Sequence, residues 1–194
     1  MDTATSPLYE KIVPVKEALT LKGAIFAHGR QMGKTLILPV RWNLATAKPV
    51  LGTNPTEKLL TNGIRGSLKY SDFEWCSWAD NDSVSFTIDL LKLEMLNTLI
   101  LGCITNNGMA IHKPASVRVE VSDDNSKFRE AVVQSFTSEE IFREGNFIEN
   151  LSLKLGGTQA RYVRVTAKGP GVCPASHVRP GQTSRIFFDE VMLE

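Results

Sequence analysis

Residues 83–90 read SVSFTIDL. Val84, Phe86, Ile88 and Leu90 alternate with Ser83, Ser85, Thr87 and Asp89. A period of two sends successive side chains to opposite faces, so this stretch predicts a strand with one face buried. The pattern recurs outward from it. Ser116–Ser122 sets Val117, Val119 and Val121 against Arg118 and Glu120, and Leu151, Leu153 and Leu155 alternate in the same way. Met95–Ile104 is a more continuous apolar run, as in a strand covered on both sides. Thr35–Val40, Arg161–Ala167 and Arg185–Leu193 also read as strands. Asp123-Asp124-Asn125 is turn chemistry and joins two strands as a hairpin. Many short strands with polar turns and little helix predict an all-β fold, an antiparallel β-sandwich.

The rest of the chain is punctuation around those strands. Leu8–Leu21 is mixed and opens with a short helical stretch that Pro14 limits. Pro49, Gly52, Pro55, Gly63 and Gly66 mark the segment from Trp42 to Gly66 as loops. Ser138–Arg143 suits one helical turn with Ser138 as its N-cap. Between the last two strands lies a long Gly/Pro-rich loop holding Cys173 and His177. A loop of that length is unusual unless it binds something.

A chain of 194 residues with 42% apolar content is expected to form one large domain with a short N-terminal appendage. No apolar run approaches the roughly 20 residues that cross a bilayer. A formal charge of +1 supplies no field for nucleic acid or an acidic membrane surface. The start, MDTATSPLYEK, lacks the basic leader and apolar core of a secretory signal, so the chain reads either as intracellular or as a fragment whose leader lies elsewhere, and a fragment is the expectation. Three cysteines allow at most one internal disulfide, and their spacing matches no zinc pattern. Cys103 reads as a buried thiol, while Cys76 and Cys173 fall in loop-like segments, where a bridge between them stays open. The stretch GRQMGKT (residues 29–35) imitates a phosphate loop. It has His28 where the motif needs glycine, and it runs into a β-like LILP instead of a helix.

Taken in order, HGRQMGKTLILPV, KLLTNGIRGS, YSDFEWCSWADND, VSFTIDL, RYVRVTAKGPGVCPASH and IFFDEVML resemble the discoidin-like module. This module is also called the coagulation-factor (F5/8) type C domain and overlaps the family 32 carbohydrate-binding modules. The version it most resembles stands at the C-terminus of bacterial family 20 β-N-acetylhexosaminidases. The resemblance covers residues 26–194, with residues 1–25 as a tail or linker from a preceding domain. It implies a jelly-roll sandwich of the galactose-binding type, without catalytic residues. It also implies a covalently linked hydrolase domain and a periplasmic, cell-surface or secreted setting. Three positions depart from the family: Asn62 where Asp is frequent, Leu91 where Gly usually ends the IDLG strand, and Ser176 where Trp often precedes the histidine.

Two sites follow from the resemblance. A structural Ca²⁺ would be held by the turn at Asn62, Gly63, Arg65 and Ser67, largely through carbonyls, and by Glu190 in the last strand. Calcium takes six to eight oxygens, and Asn62 offers a neutral one, which lowers affinity. The alternative is an ordinary glycine turn. A glycan of galactose or N-acetylhexosamine type would need aromatic platforms flanked by fixed polar groups. Tyr70, Trp75, Trp78, Asp80 and Asn81 supply one segment, Asn106, Asn107 and His112 a second, and His177 with Arg179 a third. Against this, Trp75 and Trp78 can cap the core and the histidines can serve local hydrogen bonds. Asp72, Glu74, Asp80 and Asp82 read as solvated carboxylates and not as a catalytic pair. Two other readings remain: a module that braces its neighbour without binding sugar, and an adhesion or lipid-binding module with apolar loop tips.

Overall fold

The computed structural model describes all residues except 1–6, 11–14 and 79–82. The chain divides into two compact units, Met1–Trp42 and Asn43–Glu194.

The first unit is a hairpin of β1 (Leu19–Ala27) and β2 (Arg30–Val40), paired from Leu19↔Val40 to Ala27↔Arg30. His28 and Gly29 both adopt positive φ in its turn, the geometry that matches strand twist in a two-residue hairpin. GRQMGKT therefore occupies a turn and a strand, and no helix follows it. The expected boundary at residues 25 and 26 falls inside β1. The helical opening expected in Leu8–Leu21 lies partly on undescribed residues; the described ones before Leu19 form no helix, and Leu19 already belongs to the strand.

The second unit is the predicted antiparallel sandwich. Its strands are β3 (Val50–Leu51), β4 (Cys76–Trp78), β5 (Ser83–Asn106), β6 (Ser116–Ser122), β7 (Arg129–Ser135), β8 (Asn146–Lys168) and β9 (Ile186–Leu193). The order is β4-β9-β5-β8-β6-β7, with β3 also on β5, and every pairing is antiparallel. β5 and β8 are long enough to serve both layers. The first half of β5 pairs with the end of β8, which carries β6; the second half pairs with the start of β8 and with β9. Pairing breaks between Asp89 and Glu94, where the strand changes layer. Leu91 has φ +70° there, which explains why a glycine suits this position. Asp89 Oδ1 accepts the Leu91 N–H at 2.8 Å, and Arg161 Nε donates to the same atom at 2.8 Å.

The alternating residues face one another across the layers. Val84, Phe86, Ile88, Leu90, Val117, Val119, Val121, Leu151, Leu153 and Leu155 share one buried cluster with Leu99, Leu101 and Phe188. Asp124 makes the expected turn, accepting from Ser126 N and Lys127 N at 2.9 Å each. The helical turn α1 spans Ser138–Ile141, but its N-cap is Thr137, not Ser138. Thr137 and Glu140 form a reciprocal capping box, which satisfies two N–H groups where Ser138 would satisfy one. The Cys76–Cys173 bridge left open by the sequence is not formed. All three thiols are free and buried, and Cys76 lies inside β4 opposite Phe188.

Candidate functional site

β9 carries two adjacent carboxylates, Asp189 and Glu190, and both are fully buried. Buried charge is costly unless it is bonded, and the turn after the 3₁₀ helix Glu57–Thr61 supplies the bonds. Arg65 Nε donates to Asp189 Oδ2 at 2.6 Å and Gly66 N at 2.9 Å, while Glu190 N donates to Oδ1 at 2.7 Å. Gly63 N lies 3.1 Å from each oxygen of Glu190. Burial pushes the Glu190 carboxyl up to about 9, and the Gly63 N–H only partly offsets it.

Asn62, Arg65, Ser67 and Glu190, the residues the resemblance assigns to calcium, thus converge on one turn. Asn62 Oδ1 accepts from Ile64 N at 2.8 Å, and the Ser67 carbonyl accepts the Trp75 indole N–H at 3.0 Å. The Arg65 side chain is committed to Asp189, leaving only its carbonyl for an ion. Glu190, a buried carboxylate held by the Gly63 N–H and lying near Asp189 and Glu74, is the group a hard cation could use here. Asp189, which clamps the turn, was not singled out from sequence.

The aromatic platform is corrected. Trp75 and Trp78 are 6% and 7% exposed, so neither indole face meets solvent. Trp78 stacks on Phe86 and meets Phe188 edge-on at 5.6 Å in the main core. Trp75 sits with Ile104, Ile111 and Phe187 in a second cluster, against which Tyr70 packs. Asp80 and Asn81 lie outside the described residues. The exposed ring of this segment is Phe73, 92% open. The aromatic-rich stretch YSDFEW has no periodicity to tell which rings turn inward.

The other two predicted segments do meet. Asn106 ends β5 and pairs through its main chain with Ile111; the next residue, Asn107, is the one that faces the long loop. Asn107 Nδ2 stands 3.3 Å from His177 Nε2, while its Oδ1 accepts from Gly145 N at 2.8 Å. The Arg179 N–H donates to His177 Nδ1 at 3.0 Å. The Arg179 guanidinium donates to the Gly108 carbonyl and to Gln182 Oε1, and its side chain is exposed. His112 lies beneath, fully buried, its ring 4.9 Å from His177 and 5.0 Å from Phe142. Burial, then the neighbouring His177, lowers its proton affinity to a pKa of about 4, so it is neutral near pH 7. The rim open to solvent is therefore His177 and Arg179, with Asn107 and His112 buried behind it.

The arrangement sits in a recognisable frame. The F5/8 type C domain profile matches residues 45–178. The chain belongs to the F5/8 type C domain family. No curated protein matches its sequence. Among solved structures, the F5/8 type C fold seen here is similar to CpGH89CBM32-6 produced by Clostridium perfringens, at 18% identity and TM-score 0.51, covering 79% of this chain and 98% of that one. It is similar to a Streptococcus pneumoniae fucose binding module at 16% identity and TM-score 0.51, covering 87% and 98%. It is also similar to the lectin domain of lectinolysin complexed with Lewis B antigen, at 15% identity and TM-score 0.50, covering 79% and 96%. An open groove of about 420 Å³ also crosses this F5/8 type C domain, lined by Ser83, Ser116, Arg118, Glu120, Val133, Thr166 and Lys168. None of the candidate glycan or calcium residues expected from sequence lines it. No described helix is long and apolar enough to cross a membrane.

Proposed function

We propose that the chain is a noncatalytic carbohydrate-binding module whose end loops hold a glycan of galactose or N-acetylhexosamine type. The observation that carries this reading is the meeting of Asn107, His177 and Arg179 from two loops, with guanidinium donors left at the surface. Sugar hydroxyls need such fixed donors, and the ring faces need apolar cover, for which the exposed Val178 between His177 and Arg179 is available. The similarity to a fucose binding module and to a lectin domain complexed with Lewis B antigen supports a glycan as the ligand class.

The ordered motifs support a parent glycoside hydrolase, a β-N-acetylhexosaminidase, outside the cytoplasm. The module would then hold its linked catalytic domain near substrate by raising local concentration. The Asn62–Ser67 turn with Glu190 would hold a structural calcium that stabilises the end of β9 and takes no part in sugar contact.

Calorimetric titration of the chain with galactose, N-acetylglucosamine and N-acetylgalactosamine tests the reading. Binding in the micromolar to millimolar range, weakened by Arg179→Ala, is expected. No heat at millimolar sugar removes it. A second reading, a bracing module that binds no sugar, is favoured by one observation: both loop tryptophans are core residues. It would then be the survivor of that titration.

A further inference from the structure

The geometry points to a zinc site formed by His112, Cys173 and His177 inside the base of the long C-terminal loop. One ligand atom from each residue lies within 4.8 Å of the other two. In a tetrahedral zinc site, with Zn–N near 2.0–2.1 Å and Zn–S near 2.3 Å, neighbouring ligand atoms sit about 3.4–3.8 Å apart. Closing the triangle therefore takes about one ångström of side-chain movement, within rotamer adjustment.

Three features set this trio apart from an accidental cluster. His112 is fully buried, and neither of its ring nitrogens has a hydrogen-bond partner. An unpaired buried polar group carries its full desolvation cost, and a metal removes that cost. Its main chain is fixed, with the N–H donating to the Arg185 carbonyl at 3.1 Å. The second feature is the free thiol of Cys173, which is 3% exposed and lies 3.4 Å from the Ser184 hydroxyl.

The third is the loop itself, which holds Cys173 and His177 on one tight turn. Val172 bridges to Thr183, Gly181 N donates to the Cys173 carbonyl, and His177 N donates to the Pro174 carbonyl, each at 3.0 Å for the two hydrogen bonds. Two imidazoles and a thiolate suit a borderline-soft divalent ion and do not suit calcium. Three protein ligands leave a fourth position for water on the half-buried His177 side. The ion would pin the loop carrying Arg179 to the end of the sandwich. Cysteine spacing cannot reveal such a site, because His112 arrives from a different loop.

The site shares His177 with the proposed glycan rim, so it is tested by metal binding alone, with no sugar present. The full chain, reduced and stripped with chelator, is titrated with zinc chloride and, separately, with cobalt chloride. One ion per chain is expected, with a thiolate-to-cobalt charge-transfer band and the visible bands of tetrahedral cobalt. Excess calcium should not compete. Cys173→Ser should abolish the charge-transfer band and weaken zinc by at least about 100-fold. His177→Gln, changed at a half-buried position, should weaken zinc comparably while leaving the circular dichroism spectrum intact; it decides the matter if Cys173→Ser does not fold. No zinc retained, a cobalt spectrum without the sulfur band, or unchanged affinity in His177→Gln would overturn the assignment.

Discussion

Replacing Gly102 by Ala sets a methyl group against the buried pair that anchors the Asn62–Ser67 turn. A Cβ at Gly102 would sit well inside contact distance of Asp189 Oδ1 and of the Arg65 guanidinium. The fully buried Asp189 has little room to yield. Asp189 is held by Arg65, Gly66 and Glu190 donors, and Gly102 lies within β5, whose neighbours Leu101 and Cys103 pair with β9. Breaking a buried ion pair costs about 3–5 kcal/mol, because it strands an uncompensated charge. With a urea dependence of about 2 kcal/mol per molar, the unfolding midpoint should fall by about 2 M. Arg65→Met should cost a similar amount, and the double variant should cost much less than the sum, since both remove one interaction. Urea unfolding followed by tryptophan fluorescence reads all three. A loss below about 1 kcal/mol for Gly102→Ala, or full additivity, would refute the clamp.

Four further outcomes follow from the same structure. Arg179→Ala should weaken sugar by about 10- to 100-fold, the worth of a charged hydrogen bond, with an unchanged melting temperature in calorimetry. Trp78→Ala should destabilise the fold by about 3–5 kcal/mol in urea unfolding, as an aromatic taken from a packed core does. Calcium at 100 times its dissociation constant should add about 2.7 kcal/mol of stability, lost in Glu190→Gln; an unchanged melting temperature in millimolar calcium would remove the ion. The Arg161 side chain holds the Asp89 carboxyl below its usual range, so its stabilisation is present above the unfolded carboxylate pKa and is lost as pH falls through the lower folded value. Arg161→Met should therefore flatten the acid limb of the stability–pH curve measured by urea titration.

The strands were legible because Val84, Phe86, Ile88 and Leu90 obey a period that only a strand exploits. What alternation could not show is that Ser83–Leu90 and Met95–Ile104 are one strand. The bend between them depends on a positive φ at Leu91, a residue whose chemistry gives no hint of it. The turn facing β9 was legible through the order of motifs. Its true anchor, Asp189, looked like one more acidic residue beside Glu190. Trp75, Trp78 and Phe73 show the limit most clearly. Aromatic rings in a loop are drawn inward or outward by long-range packing, here against Phe86, Phe188 and Ile111, which no local pattern encodes. Loop convergence was expected from the resemblance, and Asn107, His177 and Arg179 do converge. Of the two neighbours Asn106 and Asn107, only Asn107 reaches His177, because Asn106 still belongs to the strand.

The central claim is that the loops around His177 and Arg179 receive a sugar. A ¹⁵N-edited amide titration with galactose and N-acetylhexosamines tests it residue by residue. The account predicts saturable shifts at Asn107–Met109 and at His177–Gln182, with β6 and β7 silent. Shifts confined to the groove around Arg118 and Lys168, or none at millimolar sugar, would contradict it.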